Sequence, residues 1–316
     1  MNKPLLSICI PTYNRAEYLK KSIESVICQE EFGLGNVEIV ISDNLSTDDT
    51  EIVGREYSDR YPNIIYHRND KNINNDNFPL VLSLGNGTLR RLCNDTLCFE
   101  KGSLKYICNI IRKFSEKKPF LCWCGLNKKS EIEELSFEEG VKEISYWITS
   151  IACFSIWDTE CNDLENDTYG AELLLWQVRK SLELASKKGS MVLINKHLTY
   201  TQEVKGKNVS YGLYKVFYQN YFTLYDPYFE SGRLSVEDKN FLEEDLLLRF
   251  FPAWCVKWKM QDSSLRYSKT EDLRDAIYKQ YHDKSYWGRY KRIYNKIYIT
   301  TKIKNVLKRI IKYDRN

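Results

Sequence analysis

The chain has no Gly-x-Gly-x-x-Gly and no Gly-x-x-x-x-Gly-Lys-Ser/Thr segment. The first absence argues against a Rossmann dinucleotide fold, the second against a phosphate-cradling P-loop. No apolar run approaches the roughly 18 residues of a membrane-spanning helix. The opening MNKPLLSICIPTYNR has one short apolar run, 5–10, with no small-residue cleavage site behind it. It does not read as a secretory leader, so the expected location is cytoplasmic. The ten cysteines are scattered, with one Cys-x-Cys (Cys122, Cys124) and no paired Cys-x-x-Cys. That argues against a zinc site and for free thiols in a reducing compartment. There is no internal repeat and no low-complexity segment.

What is present is the composition of a soluble globular protein: 316 residues, 43% hydrophobic and 28% charged, with a mean hydropathy of −0.50. That length allows one large domain or two modest ones around a sizeable core. The 23 Tyr and seven Trp are generous, and such residues suit cores and also clefts where one edge stays wet. Charge is uneven. Residues 279–316 hold 12 Lys/Arg against two Asp, so the net charge of +4 hides an acidic body and a basic tail.

Over the first hundred residues, strand and helix signals alternate. Strands are predicted at 5–10, 37–41, 64–66 and 88–93, and helices at 17–29, after a cap-like 46–50, and at 78–84. This order predicts an α/β fold with a mostly parallel central sheet and right-handed crossovers. Ligands in such sheets lie outside the carboxyl ends of the strands. The loops to inspect are therefore 11–15, 42–48, 67–77 and 93–96, all rich in Asn and Asp and poor in Gly. Further on, a helix is predicted at 102–117, a strand at 120–124, a loop or edge hairpin at 126–140, an amphipathic helix at 169–185 and a strand at 191–195. From 211 the pattern is helical and aromatic.

IPTYNR (10–15) after the first strand and SDNLSTDDT (42–50) after the second resemble the opening of family 2 glycosyltransferases, which have the GT-A fold. HRNDKNINNDNF (67–78) resembles the family's Asn-rich third loop, and 87–99 occupies the place of its metal-binding acidic turn. The resemblance covers about residues 4–125 and extends more loosely through 147–157 and 169–176. It implies a GT-A domain over 1–205, with a nucleotide-sugar half (1–125) and an acceptor half (126–205). A helical extension (206–278) and a basic amphipathic tail (279–316) would follow.

The resemblance also implies roles. Asp43 would accept a hydrogen bond from the base, Tyr13 would flank it, and the backbone of Pro11 and Thr12 would complete its edge. Arg15 and Lys71 are candidates for phosphate or structural contacts. In the family the turn after the fourth strand carries two or three acids that grip the ribose and a Mg²⁺ or Mn²⁺. Here it reads Asn94-Asp95-Thr96, leaving Asp95 as the one carboxylate and expected metal ligand, with Asn94 beside it. The rival reading is a turn that has lost its metal. Inverting transfer needs a general base near the acceptor. No clean acidic pair offers it; Asp158, Glu160, Asp167 and Glu172 are candidates, with Asp158 and Glu172 carried forward.

In the tail, the aliphatic positions 303, 306, 307, 310 and 311 share one helical face, with lysines and arginines elsewhere. Such a helix suits an anionic membrane, on the inner face of the plasma membrane, or packs back on its own domain. No nucleic-acid-binding motif accompanies the charge. The expected activity is transfer of a sugar from a nucleoside diphosphate donor, UDP-linked, to a glycan or lipid-linked acceptor of a surface polysaccharide. The alternatives are a nucleotide-sugar-binding accessory protein without catalysis, and a nucleotidyltransferase. The latter expects a Gly-rich basic loop where IPTYNR stands.

Overall fold

Two compact units, Met1–Glu203 and Val204–Asn316, divide the chain. The structure, a computed structural model, describes residues 3–126, 128–204, 207–209, 211–260, 265–268 and 271–313.

The first unit begins β1 (Leu6–Thr12), α1 (Ala16–Ile27), α2 (Glu30–Gly33), β2 (Val37–Asp43), α3 (Thr50–Arg60), β3 (Ile64–Arg68), α4 (Asn77–Ser83) and β4 (Leu89–Leu92). β5 (Leu97–Phe99), α5 (Ser103–Phe114), β6 (Phe120–Cys122), β7 (Ile132–Ser136) and α6 (Phe137–Ile144) follow. The unit closes with β8 (Ser155–Trp157), α7 (Trp176–Lys188), β9 (Ser190–Ile194) and β10 (Thr199–Thr201). Five strands form the central sheet in the order β3-β2-β1-β4-β8. β1 to β4 run parallel, and β8 is antiparallel to β4.

β2 is buried along its whole length, as expected of a strand covered on both faces. α1 packs Leu19, Ile23 and Val26 onto the sheet, and α5 adds Leu104, Ile107 and Ile111. Each such side chain contributes about 1.5–3 kcal/mol by leaving water. The register aligns Thr12 with Asp43 and Asp43 with Arg68, so three polar side chains end three adjacent strands in one row.

Pro11 sits in a central strand, where a missing N–H is normally a fault. Cys9 offers its carbonyl to Cys93 N–H, on the β4 side, while Thr12 accepts from Asn44 on the β2 side. By strand alternation Pro11 faces the β4 side, past the point where β4 has ended. No ladder partner is lost there.

At the opposite end of the strands the carboxyl of Glu38 is 4% exposed. It accepts from Ser7 Oγ (2.6 Å), Asn86 N (2.5 Å) and Gly87 N (3.1 Å), tying β1, β2 and the entry to β4 together.

Three stretches depart from the expected elements. The 126–140 segment holds β7, an edge strand paired antiparallel with β9, and the start of α6. A Ser136–Glu139 capping box begins that helix, with Ser136 Oγ accepting from Glu139 N and Glu139 accepting from Ser136 N. The helix expected from 169 starts at Trp176, because Gly170 and Leu174 take left-handed backbone angles (φ +90° and +60°) that no helix admits. The apolar 147–157 run ends as β8, so its last residues run down the sheet, not up.

Among its described residues the second unit holds a short parallel pair, β11 (Lys207–Val209) and β12 (Leu265–Tyr267), and five helices. These are α8 (Tyr221–Glu230), α9 (Val236–Asp245), α10 (Phe251–Lys259), α11 (Leu273–Tyr281) and α12 (Trp287–Tyr313). π-helical turns, Lys215–Asn220 and Leu246–Phe250, precede α8 and α10. Tyr218 donates to the buried Glu243 at 2.8 Å, which pushes the phenol well above its ordinary range after burial has raised it. α12 packs on α10 through a stacked ladder, Tyr290–Tyr294–Tyr298, with Lys259 Nζ 4.3 Å from the centre of the last ring. At 3.6 residues per turn its opposite side carries Ile299, Ile303 and Val306, each about half exposed or more. Among the described residues no helix is long and apolar enough to cross a membrane.

Candidate active site

The four loops named from the sequence meet at the carboxyl ends of β1 to β4. Thr12 Oγ1 donates to Asp95 Oδ2 at 3.0 Å, joining the first loop to the turn after β4. Asn14, at φ +53°, donates its N–H to Ser46 Oγ (2.9 Å) and accepts from Thr47 N through Oδ1 (2.7 Å). Arg15 N donates to Thr50 Oγ1 at 3.0 Å, and Ala16 N donates to Asp48 Oδ2 at 3.2 Å. The first and second loops are therefore laced together by both backbone and side chains. Ser46 and Asp48 serve that lacing. The N-cap of α3 is Asp49, inside the cap-like 46–50 stretch, and its side chain makes no cap bond.

Asp43 is fully buried, and both its oxygens are engaged. Oδ1 accepts from Ser46 N (2.9 Å) and Oδ2 from Tyr66 O–H (2.8 Å). Tyr66 lies mid-strand in β3, a place with no sequence mark of a contact to the rim. Its phenol is raised well above the ordinary range, by burial first and then by Asp43. The ring lies against Gly54 of α3, where a Cβ would sit 2.2 Å from ring carbon Cε2. Gly54→Ala is accordingly expected to cost about 1–3 kcal/mol. It should also push Tyr66 off Asp43. Thermal unfolding checks the cost, and a midpoint equal to the unaltered one would refute the clash.

The Asn-rich third loop is held by its own side chains. Asn69 Nδ2 donates to Asn44 Oδ1 (3.1 Å) and Asn77 Oδ1 (3.2 Å), and Asn44 Nδ2 donates to Asn74 O (3.1 Å). Asn77 also accepts from Ser42 Oγ at 2.6 Å. These amides are mortar between loops two and three. Lys71 and Tyr13 are exposed, Tyr13 to 45%. Arg68 donates to Ser46 O at 3.0 Å and pairs with Glu51, fixing the far wall.

Asp95 sets the electrostatics of the rim. Its residue surface is only partly covered, but its carboxyl group is enclosed enough that burial raises its pKa to about 6. Asp48 pushes the same way, while Arg15 and hydrogen bonds from Thr12 and the Thr96 backbone oppose the rise. Asp48 itself lies below the usual carboxylate range: burial raises it, and hydrogen bonds from Thr50 and Ala16 more than reverse this. A carboxylate strained in this way gains from a cation. Mg²⁺ commonly binds through one or two carboxylates plus substrate phosphate oxygens and waters. The donor set fits that mode: Asp95 would be the protein ligand, and among the described residues no group of three or more His, Cys, Asp or Glu could hold a metal alone.

Of the two acids carried forward as bases, Asp158 is not brought to Asp95. Asp158 lies just past β8, and its N–H donates to Thr88 O at the start of β4. It is ion-paired with Lys118 (2.9 Å) and Lys3 (2.5 Å), at the amino end of the sheet. Glu160 is likewise paired with Lys188 at 2.8 Å. Because β8 is antiparallel, the residues after it emerge at the edge opposite the rim, and this corrects the expectation for Asp158. Asp167 pairs with Arg179 and Lys180. Glu172 is exposed in the loop before α7 and accepts from Gly170 N at 2.9 Å.

Residues 7–74 match the family model described as Glycosyl transferase family 2. The abequosyltransferase RfbV of Salmonella typhimurium is 49% identical over 85 residues, 26% of this chain and 25% of that one. The minor teichoic acid biosynthesis protein GgaB of Bacillus subtilis is 36% identical over 66 residues, 21% of this chain and 7% of that one. The matched segments thus span a quarter or less of these relatives. The fold of the S. aureus TarS 1–349 crystal structure in complex with UDP is similar, with a TM-score of 0.56, 16% identity, and coverage of 79% of this chain and 78% of that one. The matched stretch holds β1 to β3 and the first three rim loops almost entire, and over that stretch the chain is similar to glycosyl transferase family 2.

Proposed function

We propose that the protein transfers a sugar, with inversion, from a UDP-linked donor to a hydroxyl of a glycan or lipid-linked acceptor during surface polysaccharide synthesis. The observation that carries this reading is the meeting of Thr12 and Asp95 at the end of two adjacent parallel strands. Relatives named for abequosyl transfer and for teichoic acid synthesis support the polysaccharide setting, and the TarS complex with UDP supports the donor class.

In this reading exposed Tyr13 flanks the base, and Asp43 keeps the second loop open by holding Ser46 and Tyr66. Arg15, beside Asp95, faces the diphosphate. Asp95 would hold Mg²⁺ or Mn²⁺, which would supply Lewis-acid stabilisation of the nucleoside diphosphate leaving group. Thr12 orients Asp95 by donating to Oδ2. The acceptor's proton goes to a carboxylate of the acceptor half, for which exposed Glu172 is the remaining candidate.

The test is incubation with a panel of nucleotide-sugars and Mn²⁺, following nucleoside diphosphate release and thermal stabilisation. Release with one donor is the expected result. Stabilisation without release favours the accessory nucleotide-sugar-binding reading, which the loss of acids around Asp95 supports. Neither effect with any donor overturns the proposal.

We further propose that α12 rests on an anionic membrane surface. Its tyrosine ladder is occupied by α10, while Ile299, Ile303 and Val306 are exposed among exposed Arg292, Lys296 and Lys302. Apolar anchors flanked by cations match an anionic lipid interface. Ile299→Glu combined with Ile303→Glu should reduce cosedimentation with phosphatidylglycerol vesicles at least tenfold while leaving thermal unfolding unchanged. Equal sedimentation would remove the lipid assignment.

A further inference from the structure

Within the first unit a cavity of about 190 Å³ is walled by Arg91, Trp123, Trp147, His197 and Leu97. It has room for about six waters at roughly 30 Å³ each, which is the scale of one sugar ring. Leu97 lies two residues past Asp95, and the Thr96 carbonyl accepts from Gln202 N just after Thr201, another wall residue. The cavity therefore adjoins the turn that carries Asp95.

Its wall contains an uncompensated cation. Arg91 of β4 is 2% exposed. Its Nε and Nη2 share one acceptor, Ala152 O, at 3.3 and 3.2 Å. The guanidinium rests 4.9 Å from the centre of the Trp123 ring and 5.7 Å from that of Phe99. Nη1 has no hydrogen-bond partner, and among the described residues no carboxylate is paired with Arg91. Burying a guanidinium without a counter-ion is costly. The aromatic faces return about 2 kcal/mol at most for a desolvated cation. Two buried carboxylates of this unit are well supplied by comparison: Glu38 accepts four hydrogen bonds and Asp43 two. At Arg91 a donor is left over, in a wall that also holds His197, Trp123, Trp147 and Lys196, the last paired with Glu131 at 2.7 Å.

We propose that this cavity receives the acceptor sugar and that Arg91 recognises an anionic substituent on it, a carboxylate or a phosphate. Arg is suited to this because its planar fork binds either group through two parallel N–H donors. Trp123 and Trp147 would pack against the C–H faces of the ring. The inference rests on the transferase reading for the word acceptor, but not for the binding itself.

The experiment uses the full chain and measures the binding of three probes by ligand-observed NMR: methyl β-glucuronide, glucose 6-phosphate and methyl β-glucoside. The expected result is at least tenfold tighter binding of one or both anionic probes than of the neutral glucoside, and which of the two binds identifies the substituent. Arg91→Met should erase that preference, and Arg91→Lys, which keeps the charge without the fork, should retain part of it. Should the methionine variant unfold, the lysine variant and the probe comparison on the unaltered chain still decide. Equal binding of all three probes, or none, overturns the proposal. Failure of the transferase reading registers separately, as absence of nucleoside diphosphate release from the donor panel without any of these probes.

Discussion

Asp95→Ala is expected to lower sugar transfer on the order of 100- to 1,000-fold, the loss typical of deleting one group that stabilises developing charge. The expectation is large because nothing stands in for this carboxylate. Asn94 and Thr96 are neutral, and Asp48 has both oxygens taken by Thr50 and Ala16. Asp95→Asn should fall nearly as far, since it keeps an oxygen but not the charge. Steady-state turnover with the donor found by the panel measures this. Turnover within threefold of the unaltered chain would falsify the assignment of Asp95 to the leaving group.

The same residue gives a pH signature in the metal-free protein. Its pKa rises from an ordinary 3.8 to about 6, so between these values the folded chain keeps a proton that the unfolded chain has released. Its contribution is therefore present below about pH 4, is lost as pH rises through about 6, and is level above that. Asp95→Asn should remove this decline, so the variant gains on the unaltered chain as pH rises. Urea midpoints at pH 4.5 and 7 check the sign; an unaltered chain that gained on the variant with rising pH would contradict it.

Gly87→Ala is expected to be the most damaging small change to the fold. A Cβ there would stand 2.5 Å from Ser7 N and 2.8 Å from the Leu6 carbonyl carbon, both backbone atoms of the central strand. No rotamer relieves that contact. The strand must move, and with it the Ser7–Glu38–Gly87 junction. Glu38→Ala attacks that junction from the other side by orphaning Ser7 O–H and Asn86 N–H and leaving Gly87 N–H with Ser7 Oγ alone. Each orphaned buried donor costs about 1–3 kcal/mol, so either variant should lose about 3 kcal/mol or more, a large part of the 5–15 typical of a folded chain. Glu38→Gln keeps an acceptor oxygen and should lose less. Urea unfolding ranks the three, and a Gly87→Ala midpoint equal to the unaltered one would refute the steric argument.

The sequence made the four rim loops visible because each follows an apolar run that ends abruptly in polar residues. It could not tell an asparagine that meets a ligand from one that meets another asparagine, since Asn44 and Asn69 find each other across 25 positions. Asp158 illustrates a different limit. Its place after an apolar segment was evident, but not that the segment would enter the sheet reversed, and strand direction decides which end of the sheet a carboxylate reaches. Tyr66 carried no mark because a tyrosine mid-strand is ordinary; only the register beside Asp43 gives it work. The α6 helix did carry a signature, the Ser136–Glu139 box, which reports a helix start that apolar spacing over so short a segment does not reveal.

The tyrosine ladder that docks α12 onto α10 also bears on the thermodynamics of any membrane contact. A tail that folds only on lipid gives up part of its binding free energy to ordering its own backbone. Here the helix is already formed on the protein, its ordering met by the packing of Tyr290, Tyr294 and Tyr298. Nearly all the free energy of seating Ile299, Ile303 and Val306 would then appear as affinity. Three side chains would suffice for reversible attachment where a disordered tail would need more.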